Sequence, residues 1–294
     1  MGVFPVSCFS FITRVCRATP PTQSSALSAF AAKPHKGRGK KFESIIMPAH
    51  RTPKTPVFTA LDTAEVSEAT ELAAKLADTS GGLKLGLEFF CAHGPKGVKE
   101  VQSASDLPIF LDLKLHDIPN TVAGAMRSVA QLGVFMTTVH AIGGQGMMEA
   151  AVKAATDTAH EFPVQRPLVI AVTVLTSFDA NDLKSVGVGA AVTDQVRRLA
   201  EIAQRAGVDG IVCSPLEVEM LRKDLGPGMK LITPGVRPTW SVANDQKRIL
   251  TPTDALAAGA DYLVIGRPIT AAADPAVAAK RIAQEIAPLI KPAA

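Results

Sequence analysis

Three charged residues within six positions mark where this chain could do chemistry: Asp112, Lys114 and Asp117, in the stretch LDLKLHDIPNTV at 111–122. The apolar run Ile109-Phe110-Leu111 leads into them and Asn120 precedes a helical-looking segment, so the charges fall where a strand passes into a loop. Residues two apart in a strand share a face, which points Asp112 and Lys114 the same way and leaves Asp117 just beyond, on the loop. Carboxylates on both sides favour the ammonium of Lys114 over its free amine. That argues against a Schiff-base nucleophile and for a fixed positive charge. Charge this dense at the mouth of a buried strand carries a desolvation cost, so it serves either chemistry or a salt-bridge network that orders the rim. His116 lies beside the array but shares its face only if the strand runs past 114, and a structural role is the simpler reading.

The elements that must position these residues follow a regular alternation. Short apolar, β-rich runs occur at 57–61, 82–86, 109–113, 135–140, 168–174, 209–213, 230–233 and 261–265. Between them lie amphipathic, helix-like pieces such as 64–77, 121–132, 145–160, 192–206 and 274–288. Strands alternating with helices predict a parallel sheet. Eight such units predict an α/β fold of the closed kind, a (β/α)8 TIM barrel of ordinary size. The alternative, a doubly wound open sheet, would want a Gly-rich turn after its first strand, and DTAEVS at 62–67 has no glycine. Barrels place their sites at the C-terminal ends of the strands. Asp62, Lys84, Asp112, Lys114, Thr176, Arg237 and Arg267 all fall at or just after predicted strand ends.

The last two strands carry a second constellation. TPGVRP at 233–238 follows the seventh strand and IGRPI at 265–269 follows the eighth, the loops between which barrels frequently bind phosphate. Gly235 and Gly266 would let backbone N–H groups approach an anion, and Arg237 and Arg267 would add forked donors. A single Gly-Arg pair reads as a turn with a surface cation; two at the expected strands read as a cradle. The polar stretch from Gly235 to Ile249, with Pro238, Trp240, Asn244 and Gln246, has the length of a lid at the barrel mouth.

Composition bounds the rest. The chain of 294 residues is 47% hydrophobic, enough for a large core, and its net charge of +4 is unevenly divided. Residues 1–54 carry nine Lys or Arg against one acid, Glu43, and the remaining residues carry 22 basic and 26 acidic side chains. We therefore expect a basic, disordered extension over 1–54, or a start upstream of the true one at Met47, followed by a single barrel domain over 55–294. Arg14, Arg17 and the serines at 24–28 give the arm a weak likeness to an organellar transit peptide, and a nucleic-acid-binding tail is a third reading. No run of about 18 apolar residues occurs, so no spanning helix is expected. Cys8, Cys16, Cys91 and Cys213 have no metal-like spacing and read as reduced thiols in a cytoplasmic protein, with Cys213 in the core.

Assembled, these segments resemble the orotidine 5′-phosphate decarboxylase family, specifically its bacterial branch. The resemblance covers about 56–290 and rests on TALD, LKLGLEFF, LDLKLHDIPNT, VLTS, TPGVRP, NDQKR and VIGRP in the family's order. It implies decarboxylation of orotidine 5′-phosphate to uridine 5′-phosphate without a cofactor or metal, in a homodimer. Under the resemblance Asp62 and Lys84 hold the ribose hydroxyls, and Lys84 also joins the charge network. Asp112 and Lys114 face the substrate carboxylate and C6, while Asp117 and Thr121 reach into the neighbouring subunit's site. Thr176 contacts the pyrimidine, Pro234 lines the pocket, and Arg237, Gln246, Gly266 and Arg267 grip the phosphate. Asn244 stands where glycine is common in the family, a residue that also tolerates left-handed backbone. The arm has no counterpart there and inherits no role. Two other readings stay open. One is a magnesium-dependent sugar-phosphate decarboxylase or aldolase with a similar Asp-x-Lys-x-x-Asp element, which the HDIPNT continuation and the NDQKR lid oppose. The other is a non-catalytic nucleotide-binding protein, which the intact Asp112 and Lys114 oppose. Beyond a small-molecule substrate and a second copy of the chain, no nucleic-acid or membrane partner is expected.

Overall fold

The computed structural model describes residues 52–241 and 250–290. Expectations for the arm up to Arg51, including Cys8 and Cys16, and for Asn244 and Gln246 lie outside the described residues. In chain order the elements are β1 Val57–Leu61, α1 Val66–Leu76, β2 Gly82–Leu85, α2 Leu87–Ala104, β3 Ile109–Leu115, α3 Pro119–Ala130 and β4 Met136–His140. They continue with α4 Gln145–Glu161, β5 Leu168–Val172, α5 Ala180–Ser185, α6 Val192–Arg205, β6 Gly210–Val212 and α7 Val218–Leu225. The last are β7 Lys230–Pro234, α8 Pro252–Ala257, β8 Tyr262–Ile265, α9 Arg267–Thr270 and α10 Pro275–Ile286. The strands are parallel, and β1 pairs with both β2 and β8, which closes the barrel. The open-sheet alternative is thereby excluded.

Each expected strand is present; β1 keeps its expected bounds and the others shift by one or two residues at one or both ends. The fifth stops at Val172 rather than 174, where the Thr173 hydroxyl donates to the carbonyl of Val212. The third runs on to Leu115, and its register to β4 shifts between Leu111 and Leu115. Lys114 lies inside that bulge with φ 50°, the sole non-glycine residue with positive φ among those described. Simple alternation therefore does not carry Lys114 onto the face of Asp112; a bulge re-aims it.

Alternation does hold below the bulge and divides the core in two. Leu61, Leu83, Leu111, Val169, Leu231 and Leu263 face the helices. Phe58, Ala60, Phe110, Met136, Ile170, Ile232 and Val264 form a separate cluster, the barrel's interior. Phe58 stacks on Phe135 with centroids 5.8 Å apart and meets Phe110 and Tyr262 edge-on. Gly82 leaves room for that ring: a Cβ there would come within 2.3 Å of Phe58. The barrel's lower end is thus a filled aromatic floor.

Two carboxylates brace the opposite rim, at the strand N-termini. Asp209 accepts the Val169 amide at 2.7 Å and pairs with Arg166 at 2.9 Å. Asp261 accepts the Leu231 amide at 2.9 Å and binds both Arg222 and Lys230. Arg222 also donates to the carbonyls of Gly226, Met229 and Gly259, so one guanidinium ties α7 to the approaches of β7 and β8. Cys213 is fully buried in the core, and burial is the main reason its thiol is pushed up to about 12. Among the described residues no helix is long and apolar enough to cross a membrane.

Candidate active site

The interior positions of the barrel lead, two residues further on, to the residues singled out in the sequence. Ala60 is followed by Asp62, Gly82 by Lys84, Phe110 by Asp112, Ile232 by Pro234 and Val264 by Gly266. A period of two on strands sharing one floor therefore assembles these groups at the C-terminal mouth.

Two ion pairs stand there. Lys84 Nζ lies 3.2 Å from Asp62 Oδ1, its side chain only 12% exposed. Lys114 Nζ lies 2.8 Å from Asp112 Oδ2, with side chains 33% and 14% exposed. Lys84 binds Asp62 rather than the central pair, so the implied charge network appears within one chain as two couples. Asp117 stays apart from both. Its carboxylate accepts the amide of Ile118 at 2.6 Å and is exposed, as is Thr121 in the first turn of α3. Asp117 therefore stands outside the Asp112-Lys114 couple, its carboxylate turned to the amide of Ile118, the residue that caps α3.

Thr138, which the sequence reading did not single out, sits on β4 beside the central pair. Its hydroxyl donates to Asp112 Oδ1 at 2.8 Å and accepts the Lys114 amide at 2.8 Å. In the run MTTVH it looks like Thr137, whose hydroxyl merely donates to the Leu111 carbonyl at 2.8 Å. The available signal is parity: Thr138 lies two residues past the interior Met136, next to the strand of Asp112. The His116 ring lies 5.7 Å from that of His140 at the end of β4. Burial, then the charges of His116 and Lys114, lowers the pKa of His140 below its ordinary value.

Across the mouth lie the two Gly-Arg loops. Pro234 ends β7 and pairs with Val264, so the loops start side by side. Gly235 has φ 78°, a left-handed turn that suits glycine. Arg237 is 7% exposed, and its amide donates to the Leu250 carbonyl at 3.1 Å. Gly266 caps α9, which begins at the exposed Arg267. A Cβ on Gly266 would lie 3.5 Å from Asp62 Oδ2, which sets this turn directly against the Asp62-Lys84 couple. Thr176 is exposed in the turn after β5. Trp240, expected in a lid, is held to α10: its Nε1 donates to Glu285 at 2.6 Å and Arg281 stacks 4.5 Å over its ring.

A family profile described as "Orotidine 5'-phosphate decarboxylase / HUMPS family" matches residues 55–282. The chain belongs to the orotidine 5′-phosphate decarboxylase family. An orotidine 5′-phosphate decarboxylase of Rhodospirillum rubrum is 58% identical over 240 residues, spanning 82% of this chain and 97% of its own length. One of Paramagnetospirillum magneticum is 57% identical over 231 residues, 79% of this chain and 98% of its own. The crystal structure of orotidine 5′-phosphate decarboxylase from Lactobacillus acidophilus superposes with a TM-score of 0.70 at 36% identity, covering 79% of this chain and 98% of that one. Membership of the decarboxylase family thus spans the whole barrel and all the mouth residues described above.

Proposed function

We propose that this protein decarboxylates orotidine 5′-phosphate to uridine 5′-phosphate and CO2, in pyrimidine biosynthesis, with no cofactor. The observation that carries the reading is the Lys114 ammonium, held 2.8 Å from Asp112 at the mouth of a barrel of this family. Breaking the bond between C6 and the carboxylate leaves an electron pair in the ring plane, where the π-system delocalises it poorly. A fixed ammonium beside C6 stabilises that charge as it develops and then supplies the proton that replaces CO2. Lys114 takes that role and Asp112 aims it.

The remaining assignments follow the order of groups in the nucleotide. Asp62 and Lys84 hold the ribose, which accounts for their place beside the Gly266 turn. Arg237, Gly266, Arg267 and Gln246 bind the phosphate, Pro234 lines the pocket, and Thr176 meets the pyrimidine. Phosphate binding lies far from the bond that breaks, so its free energy serves to close the site rather than to pull on C6. The activity belongs to residues 55–294 and is cytoplasmic.

Asp117 and Thr121 act in the site of a second subunit of a homodimer. Support comes from the exposure of both residues, from the Asp117 carboxylate being taken by the Ile118 amide while Lys114 pairs with Asp112, and from Ile118 itself, 67% exposed. Mixing Lys114→Ala with Asp117→Ala subunits, each inactive alone, is then expected to restore about a quarter of wild-type activity by forming hybrid dimers with one intact site. If the mixture stays as inactive as its components, Asp117 serves its own subunit.

The direct test is a decarboxylation assay on the purified chain with orotidine 5′-phosphate, with and without EDTA, run in parallel on a 47–294 fragment. Turnover equal in all arms is expected. Loss of turnover in EDTA would favour the magnesium-dependent sugar-phosphate reading, and no turnover in any arm would end the proposal.

A further inference from the structure

We propose that Thr138 is a positioning residue for the Asp112-Lys114 couple, an inference that rests on the decarboxylase reading of the same site. Its hydroxyl has one proton to give and lone pairs to receive with. The proton goes to Asp112 Oδ1 at 2.8 Å, and a lone pair receives the Lys114 amide at 2.8 Å. The other carboxylate oxygen, Oδ2, accepts the Lys114 ammonium at 2.8 Å. These three hydrogen bonds form one closed loop, from the Lys114 backbone through Thr138 and Asp112 to the Lys114 side-chain nitrogen. Asp112 is thereby fixed at both oxygens, which sets the plane of the carboxylate, and the ammonium is fixed from both ends of its own residue.

The loop stands where the sheet gives no support. Paired residues on β3 and β4 resume only at Leu115, so the ladder passes over 112–114 and the Lys114 amide has the Thr138 hydroxyl in place of a carbonyl. Lys114 meanwhile holds φ 50°, a conformation an L-residue with a Cβ takes only when something compensates it. Thr138 is fully buried, so water does not replace its hydroxyl without a change in the packing around it. Without that group the amide loses its partner, the bulge loses its anchor, and the ammonium and carboxylate lose their common frame. Thr138 itself touches no reacting atom in this scheme; it acts through the two residues that do.

Thr138→Val keeps the shape and removes the hydroxyl, and Thr138→Ser keeps the hydroxyl. The expected result is that Thr138→Val lowers kcat by on the order of 10- to 100-fold, the scale of a misaligned catalytic group, with KM changed by less than about 3-fold. Thr138→Ser is expected to stay within about 3-fold of wild type in both constants. The inference is overturned if Thr138→Val keeps wild-type kcat, if the loss lies in KM, if Ser fails to rescue, or if Thr138→Val loses its near-ultraviolet circular dichroism, since the hydroxyl would then serve the fold. A wild-type protein that turns over no orotidine 5′-phosphate is a different failure, of the decarboxylase reading, and takes this inference with it.

Discussion

A Lys114→Ala protein is expected to lose turnover of orotidine 5′-phosphate by a factor on the order of 10^4 or more while remaining folded. The size follows from two roles lost together. An electrostatic donor aimed at developing charge is worth roughly 10^2- to 10^3-fold, and a positioned proton donor roughly 10^2- to 10^4-fold. The fold is expected to survive because the Lys114 side chain is one-third exposed, which screens its pairing with Asp112. Steady-state assay, circular dichroism and binding of uridine 5′-phosphate measured side by side make the test. Turnover within tenfold of wild type would remove Lys114 from the centre of the mechanism, whatever became of the other residues.

Asp261→Ala is expected to produce a large loss of stability through the rim opposite the site. The carboxylate accepts a backbone amide and pairs with Arg222 and Lys230, and the side chains of Asp261 and Arg222 are 23% and 22% exposed. Its removal leaves two cations and an amide short of their acceptor. A fully buried pair broken on one side costs about 3–5 kcal/mol and an exposed one about 0–1, so partial exposure sets the expectation at about 2–3 kcal/mol. For a barrel of this size that lowers Tm by roughly 5–10 °C. Thermal unfolding followed by circular dichroism checks it, and a change under about 2 °C would show that the carbonyls around Arg222 suffice.

The legible part of this protein is the part written in periods. Alternation along β1, β2, β3, β7 and β8 carries Asp62, Lys84, Asp112, Pro234 and Gly266 to one mouth, and that alternation is local to each strand. The Gly-Arg pairs are likewise visible because their meaning depends on strand order alone. What stays hidden depends on how strands sit against one another. Thr138 matters through its contacts with β3, across a register shift that no periodicity announces. Asp117 looks like a partner of Lys114 because it is near in sequence, whereas its carboxylate is taken by the Ile118 amide at the entrance to α3. Trp240's partners Arg281 and Glu285 lie on α10, so far along the chain that no local pattern announces them.

The aromatic floor under the site has a consequence for traffic. With Phe58, Phe110, Phe135 and Tyr262 packed against one another, rings fill the barrel axis below the site among the described residues. A floor filled in this way turns any gas set free above it toward the mouth, the side from which a nucleotide enters. The residues of the rim, rather than those of the floor, are then the ones that both products pass on leaving.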